Sequence, residues 1–428
     1  MTLWPALLMF LLLAINVPIA ISLLAPTLLY FFIGGDLPID LITQRVVSST
    51  DSFPLLALPF FVLAGSIMNA AGITRRLLNL AEAFVGHFIG GLAQINVLLA
   101  TMMGGLTASA NADAAMLAKM LGPSMVQRGY SPGFSAATVA FASTIVAMIP
   151  PSIGMIVYAY LANISIGRLF IAGIVPGLLI AVFLMVVIYF VSKKRGYAPA
   201  RKKMATGSEL WQAFRQSLWA LSLPVFIIIG IRGGVFTPTE AGAIAVIYSI
   251  FVGIILHREL SWHHIPQILS ESVKSTATIM LIICCAATFG HYMVWENIPA
   301  EIANTLTQLT SSPGMMLLLI NILLLLLGMV IEGTAAMILL TPILAPVVLA
   351  LGIDPIHFGV VMVFNLTLGG VTPPVGTLLF TASNVLKVPL IHTVKESLPL
   401  LIALLVLLAI LTMFPQISLF LPSLLMPV

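Results

Sequence analysis

Two stretches decide how this chain folds: Thr367-Leu368-Gly369-Gly370-Val371-Thr372-Pro373-Pro374 and, 223 residues earlier, Thr144-Ile145-Val146-Ala147-Met148-Ile149-Pro150-Pro151. Each lies inside a long apolar run. A proline lacks the amide hydrogen and its ring clashes with the carbonyl four residues back. In a continuing helix the carbonyls of Val146 and Ala147, and of Gly369 and Gly370, lose their partners. The reading predicts that each helix breaks in mid-run and leaves carbonyl oxygens unsatisfied.

The offset of 223 holds well beyond the prolines. Without a gap it places Gly105 on Gly328, Pro123 on Pro346, Gly129 on Gly352, Pro132 on Pro355 and Pro176 on Pro399. Glycines and prolines set turns and breaks, so the backbone course is expected to repeat even where side chains differ. Ser131-Pro132 and Asp354-Pro355 each put a capping side chain before a proline at a first helical position. Upstream lie two apolar stretches, about 92–127 and 314–350, too long and too interrupted for simple spans. Gly104, Gly105, Ser109, Asn111 and Asp113 interrupt one, and Gly328, Glu332, Gly333 and Thr334 the other. A helix entering such composition is expected to stop and turn back as a re-entrant hairpin, which membranes tolerate where protein buries it. About five spans separate equivalent points, and an odd number inverts one repeat relative to the other.

Composition fixes the solvent. Of 428 residues 7% are charged, against about 25% in soluble proteins. The hydrophobic fraction is 60% and the mean hydropathy +1.15. At about 20 apolar residues per crossing there is room for about ten to twelve membrane segments. The expected fold is an all-α polytopic membrane protein, with spans near 4–33, 52–71, 133–162, 169–192, 217–234, 239–257, 273–292, 356–386 and 397–425. The first is read as a retained span, because it has no basic leader region. Divided by the repeat, residues 1–71 are N-terminal scaffold helices and 72–192 the first repeat. Residues 193–216 form a basic loop, 217–313 further scaffold helices, and 314–428 the second repeat.

The same arithmetic excludes functions. The longest polar stretch, about Ser192 to Gln216, is too short for a soluble catalytic domain, and GxxxxGK[ST] is absent. Six of the 18 Lys and Arg fall between Lys193 and Lys203, which places that loop in the cytoplasm rather than on nucleic acid. Cys284 and Cys285 read as small hydrophobes. Thr237-Pro-Thr-Glu240 reads as a capping box, and Arg75-Arg76 as solvated topology determinants. His263-His264 lack the partners that a transition-metal site needs.

Paired broken helices in two related halves point to a transport site near the bilayer midplane. Asp113 is the acid most in need of explanation, since an ionisable group in a membrane segment is expensive; the alternative is a hairpin-tip charge that reaches water. Ser109 and Asn111 add neutral oxygens, and carbonyls near Ala147, Ile149 and Pro150 complete a shell suited to sodium. The repeat implies a second cation site from Gly333 and Thr334 with Gly369, Val371, Thr372 and Pro373, unless Gly369-Gly370 serve only close packing. An anionic substrate suits the helix starts at Ser152 to Gly154 and at Val375 to Thr377, including Gly376. Thr334, Tyr158, Asn163, Ser383 and Asn384 are further polar candidates for it.

Four motifs resemble the large membrane subunit of TRAP (tripartite ATP-independent periplasmic) transporters: Gly233-Gly-Val-Phe-Thr-Pro-Thr-Glu-Ala241, Ile149-Pro-Pro-Ser152, Gly173-Ile-Val-Pro-Gly177 and Gly370-Val-Thr-Pro-Pro-Val-Gly376. The resemblance spans essentially the whole chain. It implies a multi-pass protein of the bacterial inner membrane, with an elevator fold of the ion-transporter superfamily. It also implies sodium-coupled import of a small organic anion, such as a C4-dicarboxylate or a sialic acid, and no organic cofactor. The expected partners are a separate small four-helix membrane subunit and a periplasmic substrate-binding protein. Carried over, the ion and substrate sites fall on Ser109, Asn111, Asp113, Ala147 to Ser152, Gly333, Thr334 and Gly369 to Gly376. A stand-alone sodium/carboxylate symporter shares these features without a partner. An intramembrane lipid-linked transferase would cluster its acids or histidines at one face, whereas the 14 acids here are scattered.

Overall fold

The computed structural model describes residues 3–427 apart from 16, 35–38, 108, 299 and 303–311. Among the described residues the chain is helical, without strands. Seven helices are long and apolar enough to cross a membrane, and shorter apolar helices join them. Large apolar side chains cover the outside, among them Phe190, Trp211, Ile229 and Ile247. This is the inverse of a soluble surface and fits lipid as the surrounding medium.

Helix starts follow local chemistry. In the first set α6 (Gly91–Met103) runs to a turn, and α7 (Ala110–Gln127) returns from it. Next comes α8 (Pro132–Ser143), capped by Ser131, whose hydroxyl accepts from the Phe134 amide at 3.2 Å. After a short 3-10 turn and the prolines, α9 (Ile153–Leu161) and α10 (Ile166–Arg195) follow. The second set repeats this order as α14 (Pro313–Gly328), α15 (Gly333–Ala350), α16 (Pro355–Gly369), α17 (Thr377–Leu386) and α18 (Leu390–Met413). Asp354 caps α16 through the Ile356 amide at 2.7 Å. Both Pro-Pro bonds, 150–151 and 373–374, are cis. The starts of α7 and α15, and of α8 and α16, are 223 residues apart. The sets interlock: α7 packs on α17, and α15 on α9.

Polar contacts sort the helix ends into two faces. On one, Arg195 pairs with Glu396 at 2.6 Å, Ser131 donates to Glu396 at 3.1 Å and the Arg201 amide bonds to the Gly86 carbonyl. On the other, the Tyr158 hydroxyl donates to the Pro355 carbonyl at 2.8 Å and Thr239 to the Phe53 carbonyl. The α6–α7 hairpin opens on the Arg195 face, where Arg128 donates to the Ala200 carbonyl, and α15 ends on the opposite face beside Pro355. Beside the two sets, α4 (Ala57–Ala70) packs on α12 (Pro238–Phe251) and α2 (Ile19–Gly34) on α13 (Ile265–Trp295).

Several expectations change. The run at 4–33 is two helices, α1 (Trp4–Ala14) and α2, folded back so that the Trp4 and Tyr30 rings are 6.3 Å apart. Pro18 stands at their junction and has no amide to continue α1. The run at 397–425 divides at Pro415 into α18 and α19 (Gln416–Leu425). The basic segment ends sooner than expected, because Thr206 and Glu209 form a capping box that starts α11 (Gly207–Arg232). Two helices went unread, α3 (Ile39–Ser48) and α5 (Ile73–Val85). In α5, Ile73, Leu77 and Leu80 are buried opposite Arg75, Asn79 and Glu82, so its average hydropathy conceals it. Arg76 is ion-paired to Glu259 at 2.7 Å rather than simply solvated. Gly369 and Gly370 both keep partners for their carbonyls, the Thr372 amide at 3.0 Å and the Leu378 amide at 2.9 Å.

The arrangement of the faces is open to labelling. In a Cys284→Ser/Cys285→Ser background, Gln127→Cys and Ala350→Cys, both at exposed positions, are expected to react with an impermeant maleimide from opposite sides of sealed vesicles. Reaction of both from the same side overturns the arrangement.

Candidate functional site

The hairpin turns meet the proline breaks through bare backbone. Gly105 has φ +78°, and a Cβ added there would lie 2.2 Å from the Pro150 carbonyl oxygen. A Cβ on Gly369 would lie 2.5 Å from the Gly328 carbonyl carbon. Only glycine permits such approach, which explains why Gly105 and Gly328 occupy matching positions.

Where these elements converge there is a cavity of about 360 Å³. Four helices begin at its wall: α7 at Ser109 to Asn111, α9 at Ser152 to Gly154, α15 at Glu332 to Ala335 and α17 at Thr377. Their first amides point toward one space and make it favourable to negative charge. Ser109 caps α7 by accepting from the Ala112 amide at 3.4 Å. Glu332 caps α15 by accepting from the Ala335 amide at 3.0 Å, and Thr334 donates to its other oxygen at 3.0 Å. The starts of α9 and α17 have no side-chain cap, but at α17 the Gly376 and Leu378 amides are taken by the Met329 and Gly370 carbonyls, so the start of α9 is the one best placed for an incoming anion.

The structure therefore brings Ser109, Asn111, Ala147, Ser152, Gly154, Gly333, Thr334 and Thr377 to one cavity. Gly370 lines it in place of its neighbour Gly369, which is packed against Gly328. Among the described lining residues Glu332 carries the single formal charge, and there is no Lys, Arg or His. Ser275, Thr278, Ile279 and Ile282 of α13 close the far wall and were not anticipated. The signal was there: Ser275-Thr276-Ala277-Thr278 is a run of hydroxyls entering an apolar span.

Other anticipated residues stand apart from the cavity. Ile149 packs against Gly104 and Gly177, and Pro150 against Gly105. Val371 is buried, Thr372 donates to the Leu368 carbonyl at 2.7 Å, and Pro373 belongs to the cis break. Gly376 is the left-handed cap of α17, and its amide reaches the Met329 carbonyl at 3.4 Å. The Tyr158 hydroxyl is committed to Pro355, and Ser383 donates to Thr393 at 2.8 Å. Asn384 is exposed at the end of α17, and Asn163 lines a separate cavity with Phe53 and Thr239.

Asp113 sits in the first turn of α7, fully buried, and neither carboxylate oxygen has a hydrogen-bond partner. The Thr107 hydroxyl stands next to it, and the Thr107 Oγ1 and Asn111 Oδ1 atoms are likewise buried without partners. A charge removed from water without compensation costs several kcal/mol. Four such oxygens in one hairpin are of the type that suits a hard cation rather than a thiophilic metal, although Asp113 itself is not among the residues that line the cavity. Replacing Gly105 with Ala would put a Cβ against Pro150 at a left-handed φ. Gly105→Ala is expected to destabilise by at least about 1 kcal/mol, read as a lower melting temperature of the purified protein.

The profile described as "Tripartite ATP-independent periplasmic transporter, DctM component" matches residues 6–417. The chain is 39% identical to the sialic acid TRAP transporter large permease protein SiaM of Vibrio cholerae, covering 96% of this chain and 95% of that one. It is 44% identical to the C4-dicarboxylate TRAP transporter large permease protein DctM of Pseudomonas aeruginosa, covering 89% and 88%. It is 42% identical to the isethionate TRAP transporter permease protein DctMQ of Oleidesulfovibrio alaskensis, over 95% of this chain but 64% of the relative's length. Among solved structures, the Alcanivorax borkumensis YdaH transporter shares the fold, with a TM-score of 0.66 over 88% of each chain at 15% identity.

Proposed function

The chain belongs to the DctM component family of tripartite ATP-independent periplasmic transporters, and from that membership we propose that it imports a small organic anion across the bacterial inner membrane by sodium-coupled alternating access. The observation that carries the proposal is the meeting of four helix starts at one cavity, with the buried Asp113 carboxylate behind the lining in the first turn of one of them, α7. Helix starts suit an anion and bare oxygens suit a cation, so the same junction holds both. Sodium beside Asp113, Asn111 and Thr107 offsets the buried carboxylate and organises the α7 turn. The second site, between Gly333-Thr334 and the Gly369 to Pro373 break, is proposed from the repeated geometry. In this proposal the oxygens at the hairpin turns serve the cations, and the uncapped start of α9, with the Thr377 hydroxyl beside it, receives the anion.

The substrate class follows from the same chemistry. Sialic acid, C4-dicarboxylates and isethionate, named for the relatives, are all oxyanions of small size. A cavity without Lys or Arg recognises such a group through amides and through the hydroxyls of Ser152 and Thr377, since those of Thr334 and Thr278 already donate to Glu332 and to the Lys274 carbonyl. In this proposal the two hairpins and two broken helices form inverted repeats and move together past α13, whose hydroxyls face the cavity, as an elevator. A small membrane subunit and a periplasmic substrate-binding protein complete the assembly, and family membership supports both.

The test requires no knowledge of the substrate. Thermal unfolding of the purified protein is compared in sodium, potassium and choline at equal ionic strength. A site filled at 100 times its dissociation constant stabilises by about 2.7 kcal/mol, so sodium is expected to raise the melting temperature selectively. The increment is expected to shrink in Asp113→Asn, which is also expected to lose sodium-driven uptake. Equal stability in all three salts removes the sodium sites from the proposal, and full uptake by Asp113→Asn removes Asp113.

A further inference from the structure

A second polar cavity lies well away from the hairpin turns. It measures about 460 Å³ and opens on the Arg195 face, between the end of α7, the start of α8 and the joint between α17 and α18. Lys387, His392 and Lys395 line it, all three exposed. Glu396 lines it as well, but its charge is already spent: Arg195 reaches one carboxylate oxygen at 2.6 Å and the Ser131 hydroxyl donates to the other at 3.1 Å. Arg195 is itself held in place, 5.4 Å above the Phe134 ring. The cavity therefore keeps an excess of positive charge. Two further features add to it. The 24-residue helix α18 begins beside it with no side-chain cap, so the positive end of its dipole lies next to the cavity. Lys387 occupies a left-handed cap position, φ 56°, that glycine usually fills, which turns the chain sharply between α17 and α18.

The rest of the lining is apolar: Val126, Leu386 and Val388 sit beside the cations. A soluble anion has no use for that wall, whereas an amphiphile does. The positive-inside rule makes this face cytoplasmic, because it carries the basic segment 193–203. Basic pockets on the cytoplasmic side of membrane helices are suited to lipid phosphates. We infer that this cavity binds the phosphate head group of an anionic phospholipid of the cytoplasmic leaflet, with Lys387, His392 and Lys395 on the phosphate and Val126, Leu386 and Val388 against the glycerol and first methylenes. A lipid seated there bridges the start of α8 from the first set of elements to the α17–α18 joint of the second.

The experiment uses the full-length protein in neutral detergent, titrated with phosphatidylglycerol, phosphatidylcholine of the same acyl chains, or glycerol 3-phosphate. Binding is read by native mass spectrometry and by the shift in melting temperature. Phosphatidylglycerol is expected to bind and to raise the melting temperature, while the other two do neither. Lys387→Gln/Lys395→Gln is expected to weaken phosphatidylglycerol binding by about tenfold or more. His392→Gln, which spares both lysines, is expected to weaken it less. Lys193→Gln/Lys194→Gln, which removes two charges of the same face outside the cavity, is expected to bind as the unmodified chain does. Equal binding of both phospholipids, or unchanged binding by the double lysine variant, overturns the proposal. An equal effect of glycerol 3-phosphate overturns the lipid as its occupant. A double variant that does not elute as a single species is replaced by His392→Gln, whose unchanged binding counts against the site.

Discussion

A helix that stops in the middle of a bilayer leaves several amides or carbonyls without partners, and no water is present to receive them. Every unusual feature of this chain is a response to that constraint. Two hairpins turn back at Gly104 to Ser109 and at Met329 to Glu332, and two helices break before Ile153 and Thr377. The ends so created are gathered at one place and turned on each other. Carbonyl ends stand beside amide ends, and the side chains of Ser109 and Glu332 fill part of the deficit. What is left over is a small volume with unspent donors at the start of α9 and, behind its wall, unspent acceptors near Asp113. Such a volume favours ions of both signs at short range, which an unbroken bundle does not.

The backbone course was legible because glycine and proline act locally. Pro150-Pro151, Pro373-Pro374, Gly105 and Gly328 each impose their effect within a few residues, and the constant offset exposed their pairing. The caps at Ser131, Asp354 and Thr237 were legible for the same reason. What hydropathy conceals is direction. It counts apolar residues without saying where a run folds on itself, so α1 and α2 read as one span, and α18 with α19 as another. It also averages away amphipathic helices such as α5.

The site was legible in part, for a related reason. A sequence displays donors and acceptors but not the groups that satisfy them. Tyr158 and Ser383 look like free polar groups in apolar runs, yet Pro355 and Thr393 already hold their hydroxyls. Asp113 is the converse, since an acid with no cation beside it stays without one when the chain is folded. The α13 wall was missed because it comes from outside the repeated elements, so the offset carries no information about it.

The absence of basic side chains from the described cavity wall bears on how such a site cycles. A guanidinium at the cavity would attract an anion whether or not a cation is bound there. Amides and hydroxyls hold it weakly, and in the proposed mechanism a bound sodium would add attraction that is lost when the sodium leaves. The contacts at the turns follow the same logic. Ser109 and Glu332 cap the helices they precede, so each hairpin carries its own hydrogen bonds with it. Between turn and break the contacts are close backbone packing at Gly105 and Gly369, together with one long bond, 3.4 Å, from the Gly376 amide to the Met329 carbonyl. Separating such surfaces sacrifices dispersion, and any single pair of atoms contributes only about 0.1–0.2 kcal/mol. A hairpin whose turn is capped from within can part from the break at the cost of dispersion alone, and in the proposed mechanism the ions bound beside Asp113 would be what holds it closed.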